Sequence, residues 1–397
     1  MWVEWLNTTI GEQVRLQRGI DITKAEQRAG CVPVVSSGGI SSFHDTAYAK
    51  APGVVLGRKG NVGTVFYLTE DYWPHDTSLW VTDFRGNNPR FVYYFFLNLA
   101  EELKTMDVGS ANPALNRNHI HPRKTIWPQR EEQIAIVRVL AALDDKIALN
   151  RGANRTLEEL ATTLFRSLFV DFDAVVAKAA GRDPAHLHPD FAALFPATFE
   201  DSSIGPIPRG WEVKTIKEIA RYVNGRAFTK DATGTGRMVI RIAELNSGPG
   251  ASTVYSQVEA GLENLAQPGD LLFAWSGSLD VYRWYRDEAI INQHIFKVIC
   301  EDYPQWFVHE QLREAMPFFQ DIAADKATTM GHIKREHLSQ AFLAVPPKDL
   351  LDVADKIFQP LYAKQLGNER ESLTLAALRD TLLPKLVSGE LRVREPL

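Results

Sequence analysis

Residues 156–168 read TLEELATTLFRSL, and residues 374–386 read TLAALRDTLLPKL. Thr156, Leu157, Leu160, Thr163, Leu164 and Leu168 return in the same order and spacing as Thr374, Leu375, Leu378, Thr381, Leu382 and Leu386, an offset of 374 − 156 = 218. The same offset carries Asn118-His119-Ile120 onto Glu336-His337-Leu338. Upstream the offset relaxes. Pro52-Gly53 matches Pro268-Gly269, and Trp5, Ile10, Glu12, Gly19, Thr23 and Lys24 match Trp211, Ile216, Glu218, Gly225, Thr229 and Lys230. A solenoid would repeat every ~20–50 residues and in more copies. The chain therefore reads as one domain-plus-helix unit made twice.

The helical part of each unit has a coiled-coil pattern. Apolar positions fall at Ile136, Leu140, Leu143, Ile147, Leu157, Ala161, Leu164 and Leu168, in 4-3 alternation once Asn150 and Asn154 are counted as polar seam positions. The second copy supplies Phe358, Leu361, Gln365, Asn368, Ser372, Leu375, Leu382 and Leu386. Asn150 and Asn368 occupy equivalent seam positions, where a buried Asn is satisfied only by a matching polar partner and so penalises slipped registers. Gly152 and Gly367 lie beside them and each weakens helix by about 1 kcal/mol relative to Ala, which predicts a local break or bend. A helix over 131–172 would be roughly 60 Å long at about 1.5 Å per residue. Its only sufficient partner within the chain is the second copy, and the order domain, helix, domain, helix lets the two pack antiparallel about an approximate two-fold axis.

The front of each unit is mixed. VVLGRKGNVGTVFYL and TSLWVTDF in the first, with LLFAWSGSLDVYRWY and QHIFKVIC in the second, are β-branched and aromatic runs around small-residue turns, while PRFVYYFFLNLAEELKTM is helical. The expected fold is α+β. A first domain covers 1–130, a long helix 131–172, a Pro-, Ala- and Gly-rich linker 173–206, a second domain 207–347 and a second long helix 348–397.

With 397 residues, 45% hydrophobic and 23% charged, the chain has the composition of an ordinary globular protein of two or three domains. Two cysteines, Cys31 and Cys300, are too few for a disulfide framework and suggest a reducing compartment. MWVEWLNTTIGEQ lacks the basic and apolar regions of a signal peptide, and no segment approaches about 18 uninterrupted apolar residues, so a cytoplasmic protein with no membrane partner is expected. A net charge of −5 argues against binding polyanions through bulk charge, while leaving room for local basic patches.

Catalytic motifs are absent or incomplete. GRKGNVG is neither a phosphate loop nor a dinucleotide fingerprint, and it lies in an expected hairpin. Asn112-Pro113-Ala114 shares two residues with the Asn-Pro-Pro-aromatic site of amino-methyltransferases but lacks the second Pro and the aromatic. His119-x-His121 and His186-x-His188 have no Cys or carboxylate partner at metal-ligand spacing, and Asp171-x-Asp173 reads as the polar end of a helix, so no metal site is expected. Binding remains. Arg58, Lys59, Asn61, His75, Asp76, Asn112, Asn116, Arg117 and Asn118 in the first front domain are groups that read base edges and phosphates. Trp275, Ser276, Arg283, Asn292, Gln293, His294, Lys326, His332, Lys334 and Arg335 stand at comparable places in the second.

Taken with the duplication, the segments PRGW (208–211), GRKGNVGTVFY, PHDTSLWV, GSANPALNRNHI, the helix beginning PQREEQIAIVRVLAALDDKIALNRGANRTLEEL and the terminal LRDTLLPKLVSGEL resemble the specificity subunit of type I restriction-modification systems, over nearly the full length. The resemblance implies two target recognition domains, each reading one half of a split double-stranded DNA sequence, joined by two helices acting as a ruler. It further implies two modification subunits that bring S-adenosylmethionine and methylate adenine, and restriction subunits that add ATP- and Mg-dependent cleavage. It assigns no catalysis and no cofactor to this chain. Half-sites on one face of B-DNA lie roughly 34 Å apart, a separation that a stiff coil can hold. Because LGRKGNVGTVFYL and FAWSGSLDVYRWY differ, the bound sequence is expected to be asymmetric. The alternatives are a standalone DNA-modifying enzyme and a coiled-coil adaptor that never touches DNA.

Overall fold

The computed structural model describes residues 4–106, 114–230, 232–325 and 331–393. The chain forms two compact units, the first of residues 1–148 with 373–397 and the second of residues 149–372.

The first unit holds β1 (Leu6–Thr9), α1 (Ile10–Gln13), β2 (Arg15–Arg18), β3 (Val32–Ser36), β4 (Gly39–His44), β5 (Gly53–Gly57), β6 (Val65–Leu68), β7 (Trp73–Pro74), β8 (Ser78–Asp83), α2 (Pro89–Asn98), α3 (Ala100–Thr105), α4 (Arg117–Ile120) and β9 (Lys124–Trp127). Its main sheet has the order β2-β8-β5-β6 with every neighbour antiparallel. GVVLG is buried at every position because β5 is central and covered on both faces. A smaller sheet, β4-β3-β7, contains one parallel pair, and β1 and β9 form a separate ribbon. Helix α2 starts where the Asn88 side chain accepts the N–H groups of Arg90 and Phe91, with Pro89 in the first turn where its missing N–H is not needed. It buries Phe91, Val92, Tyr94, Phe95 and Phe96.

Two helices of 40 residues follow the two domains, α5 (Arg130–Phe169) and, at the end of the chain, α11 (Lys348–Val387). Between them come α6 (Asp173–Ala179), α7 (Pro189–Ala193), β10 (Phe199–Glu200), β11 (Ile207–Pro208), β12 (Glu212–Thr215), β13 (Arg221–Asn224), β14 (Arg237–Ile240), α8 (Ile242–Ser247), β15 (Tyr255–Ser256), β16 (Leu265–Ala266), β17 (Leu271–Ala274), β18 (Asp280–Arg283), β19 (Ala289–Ile291), β20 (Ile295–Ile299), α9 (Gln305–Glu314), α10 (Met316–Asp325) and β21 (Phe342–Val345). The duplication is visible in the topology. The second unit's main sheet, β13-β20-β17-β18, has the same order and antiparallel sense as the first. Its smaller sheet, β15-β14-β19-β16, again contains one parallel pair, and β12 with β21 repeats the ribbon.

Each long helix contributes a segment to each unit, and inside each unit the segments run antiparallel. In the first, Glu132 meets Arg392 and Asp144 meets Arg379 at 2.8 Å. In the second, Asn150 meets Glu371 at 2.8 Å and Asn154 meets the Gln365 carbonyl at 3.1 Å. The break expected at Gly152 and Gly367 does not occur, since both helices run through without interruption. The Asn150, Asn154 and Asn368 side chains hydrogen-bond across to the facing helix there, and tertiary packing of this kind outweighs a propensity deficit of about 1 kcal/mol. Of the expected seam, Leu140, Ile147, Asn150 and Asn368 are buried, while Leu143, Leu157, Leu164, Leu361, Leu375 and Leu382 are half-buried. Where the second unit's domain joins, aromatic residues replace the leucine seam: Phe165, Phe169, Phe358 and Tyr362 are all buried, with Phe358 stacked on Trp306 at 4.2 Å.

The stretch 173–206 was expected as a linker and is instead folded. Val175, Phe191 and Phe195 enter the same core as Ile207, Trp211 and Ile216. Its Pro and Gly content marks turns, but its apolar residues suffice to close one side of the second unit. The first long helix also ends earlier than expected, at Phe169, and Phe172 takes a left-handed conformation with φ 55° before α6.

Candidate nucleic-acid interface

In the first unit four separate stretches are tied together by backbone hydrogen bonds. The Arg58 and Lys59 N–H groups both donate to Thr77 O, at 2.9 and 3.1 Å, and Leu115 N–H donates to Arg58 O at 2.9 Å. His75 N–H donates to Val35 O at 2.9 Å, and Ser37 N–H donates to Thr77 Oγ1 at 3.2 Å. The turn after β3, the β5–β6 loop, the turn before β8 and the segment entering α4 thereby converge. Lys59, Asn61, Asn116, Arg117 and Asn118 are exposed there, and Arg58, His75 and Asp76 are half-buried. Asn116 also caps α4 by accepting the Asn118 N–H at 2.9 Å. Asn112 lies outside the described residues.

Asp21, His75 and Asp76 can each offer a ligand atom within 4.8 Å of the others. Arg18 lies on Asp76 at 2.6 Å, and His75 Nδ1 approaches Asp76 at 3.2 Å, so Asp76 already has cationic and polar company from the chain. His121 accepts the Leu16 N–H through Nε2 at 3.0 Å, a structural bond that sets its tautomer.

The second unit builds the same convergence from different side chains. Trp275 N–H donates to His294 O at 3.1 Å and Ile333 N–H to Trp275 O at 3.0 Å, which repeats the arrangement of Arg58, Thr77 and Leu115. Ser276 bridges to His332 as Lys59 bridges to Ala114. The Trp275 ring lies 5.0 Å from His294 and 5.8 Å from Phe296, and its Nε1 donates to Asn224 Oδ1 at 2.9 Å. Asn292 Oδ1 and His294 Nδ1 are buried without a hydrogen-bond partner among the described residues, an arrangement seldom left unexplained in a folded protein. His294 has φ 76°, a strained conformation at this turn. Gln293, His332, Lys334 and Arg335 are exposed, and Ser276 is buried.

Arg283 does not belong to this surface. Its guanidinium donates to Tyr362 O at 3.0 Å and Gln365 Oε1 at 2.6 Å and lies 4.4 Å from the centre of the Tyr362 ring, so it fastens β18 to α11. Sequence position alone could not distinguish an arginine turned to the helix from one turned to solvent. Arg335 is partly engaged as well, donating to Tyr222 O at 2.8 Å. Lys326 lies outside the described residues.

Residues that spacing did not single out complete both sites: Ser37 and Thr77 in the first unit, and in the second Asn224 and Arg226, whose carbonyl accepts the Gln293 N–H at 2.9 Å. The signal was present in the repeated glycines. A Cβ on Gly19 would lie 2.1 Å from His75 O, and one on Gly225 would lie 2.0 Å from Asn292 O. Each site thus needs a residue with no side chain, directly after β2 or β13, where the turn crosses it.

Each domain is joined to its helix by a tyrosine–carboxylate bond, partly buried in the first unit and buried in the second. In the first unit Tyr94 on α2 donates to Asp144 on α5 at 2.6 Å. In the second, Tyr362 on α11 donates to Glu310 on α9, and His309 Nδ1 lies 2.7 Å from the same hydroxyl. Burial pushes both tyrosine hydroxyls far above their ordinary pKa, with the adjoining carboxylates reinforcing it, so both remain donors.

Residues 3–159 and again 208–372 match the family described as Type I restriction modification DNA specificity domain. The chain is similar to the Type I restriction enzyme MjaIX specificity subunit of Methanocaldococcus jannaschii, with 26% identity over 319 residues, 77% of this chain and 69% of that one. It is similar also to the Type I restriction enzyme HindI specificity subunit of Haemophilus influenzae, with 24% identity over 315 residues, 66% of this chain and 68% of the relative. Among solved structures, the S subunit of a type I restriction-modification system from M. genitalium shares the fold with a TM-score of 0.60 and 14% identity, covering 97% of this chain and 96% of that one. With two matched regions that take in both sites of convergence, the chain belongs to the type I restriction modification DNA specificity family.

Proposed function

We propose that this chain is the sequence-reading subunit of a type I restriction-modification complex and that it recognises an asymmetric DNA sequence in two halves, one per unit. The observation that carries this reading is the repetition of one backbone convergence with different chemistry. Arg58, Lys59 and Thr77 in the first unit are replaced by Trp275, Ser276 and His294 in the second. A conserved frame with changed side chains is suited to reading two different short sequences by one geometry. Arg is suited to guanine, Asn and Gln to adenine, and planar rings to stacking or apolar contact.

The two 40-residue helices serve in this reading as a ruler that makes the gap between half-sequences part of specificity. Two modification subunits would supply S-adenosylmethionine and the methyl transfer to adenine, and restriction subunits, where present, ATP-driven cleavage with Mg. This chain contributes no catalytic group. With a net charge of −5 it binds DNA weakly alone and more tightly in the assembled methyltransferase. The deciding experiment is to map methylated adenines in DNA from cells that express the chain with its modification subunits. A split, asymmetric motif is expected. Methyl transfer by the purified chain alone would favour a standalone enzyme, and an assembled complex with no sequence preference would favour an adaptor.

A further inference from the structure

In the first unit, backbone contacts around His121 bring together three stretches that each carry an arginine. The His121 N–H bonds Arg117 O at 2.8 Å across α4, and its Nε2 accepts the N–H of Leu16, the residue after Arg15. Arg85, in a left-handed conformation with φ 48°, donates to Glu12 O at 3.1 Å. The neighbouring Gly11 lies so close to the histidine that a Cβ there would come 2.8 Å from His121 Cβ. The His121 pKa is lowered, first by burial and then by the charges of Arg117, Arg85 and Arg15. All three arginines are exposed, and none has a carboxylate within ion-pair distance among the described residues. Two carboxylates stand nearby. Glu12 accepts bonds from Thr8 and Thr9 and also feels the charge of Arg85, and Asp83, opposite Arg15 on β8, accepts the backbone N–H of Arg85.

The second unit lacks such a patch at the matching positions. Arg221, which begins β13 as Arg15 begins β2, is paired with Glu263 at 2.5 Å and Glu301 at 3.4 Å. Arg335, which stands where Arg117 does, donates to Tyr222 O and lies 5.7 Å from the Phe296 ring centre. Three exposed arginines stand here against two carboxylates, Glu12 and Asp83, neither of which forms an ion pair with them, so this corner is net positive on a chain that is acidic overall and suits a polyanion. Arg117 directly follows Asn116 at the convergence described above, so such a polyanion would run beside the first reading site.

We propose that Arg15, Arg85 and Arg117 form a phosphate-binding patch that grips the DNA backbone beside the half-sequence read by the first unit. The proposal rests on the DNA-reading role and adds to it an electrostatic asymmetry: the first unit supplies the larger share of the salt-dependent affinity. Phosphate contacts set orientation without reading bases, so this patch acts on affinity and leaves the recognised sequence alone.

The test uses the assembled methyltransferase and a duplex carrying its motif, with affinity followed by fluorescence anisotropy across a salt series. Each neutralised phosphate contact contributes about 0.9 to the slope of log K against log salt. The triple variant Arg15→Gln, Arg85→Gln, Arg117→Gln is expected to flatten the slope by about 2–3 and to leave the methylated motif unchanged. Arg221→Gln should leave the slope as it is. The single variants Arg15→Gln and Arg117→Gln, at exposed positions, should each flatten it by about 1 and guard against misfolding of the triple variant. An unchanged slope in the single and triple variants, with specific binding retained, overturns the patch while sparing the DNA-reading role. A wild-type complex with no sequence preference overturns the DNA-reading role itself.

Discussion

Asn368 Nδ2 donates to Asn154 Oδ1 at 2.8 Å, and four residues earlier on the facing helix Asn150 Nδ2 reaches Glu371 Oε2 at 2.8 Å and Asn368 O at 3.3 Å. These groups, with the buried Gln365 and Ser372, form a ladder of polar side chains in the seam, paired across the two helices in this alignment. Asn150→Ala should therefore destabilise the second unit by about 1–3 kcal/mol, because it strips a partner from buried acceptors. Denaturant unfolding followed by circular dichroism measures this. The paired replacement Asn150→Leu with Asn368→Leu should be tolerated better in stability and worse in uniqueness of register, visible as broadened resonances or mixed assembly states.

The two tyrosine–carboxylate anchors should not be equally sensitive. Tyr94→Phe leaves Asp144 its ion pair with Arg379 at 2.8 Å, so a loss of about 1 kcal/mol is expected. Tyr362→Phe withdraws a donor from buried Glu310 and a partner from His309, and about 2–3 kcal/mol is expected. Calorimetry that resolves the two units would show the second transition shifted further than the first.

Stability should fall on mild acidification. Burial lowers the pKa of both His121 and His309, with Arg117 adding to it in the first case and Glu310 opposing it in the second. Their folded values lie below the unfolded value of about 6.5, so the unfolded chain takes up protons first. The contribution is complete above about pH 6.5 and is lost as pH drops through the folded values. Melting temperature should thus decline between pH 7.5 and 5.5, and the variant His121→Gln, His309→Gln should show a flatter profile. A further decline in more acid solution is expected from Asp45, held at about 2 by Arg28.

Gly19→Ala and Gly225→Ala are sharp tests of the two reading sites. The added methyl would collide with a backbone carbonyl at about 2 Å in either case. Gly19→Ala should disturb recognition of the first half-sequence only, and Gly225→Ala the second only. Methylation motifs from cells carrying each variant would reveal this, and loss of both halves from either variant would count against separate readers.

Exchanging residues 1–128 for those of another family member should likewise change one half-sequence. Lengthening α5 by one turn near Thr156 should change the gap between the halves without changing either. A constant gap in the sequenced motif would mean that the helices do not set it.

The duplication, the α+β fronts and the long helices were legible in the sequence because each rests on local period or on direct repetition. TLEELATTLFRSL and its echo establish two equivalent helices, and the seam positions Asn150 and Asn368 follow from counting in fours and threes. Even so, the echoed Leu160 and Leu378 are each 45% exposed, so repetition identified matching positions and did not say which of them face inward.

Tertiary structure alone decided where side chains point and which distant backbones meet. Arg283 lies in a β-rich run that reads like its surroundings, yet burial against Tyr362 and Gln365 takes it away from the reading surface. The stretch 173–206 has the composition of a linker, yet Phe191 and Phe195 find a core. The two sites exist because Arg58 bonds Thr77 and Trp275 bonds His294 through backbone groups, which carry no residue identity. Local sequence sets the period and the propensity of each element, while hydrogen bonds and packing between residues far apart in the chain select the one arrangement that satisfies them together.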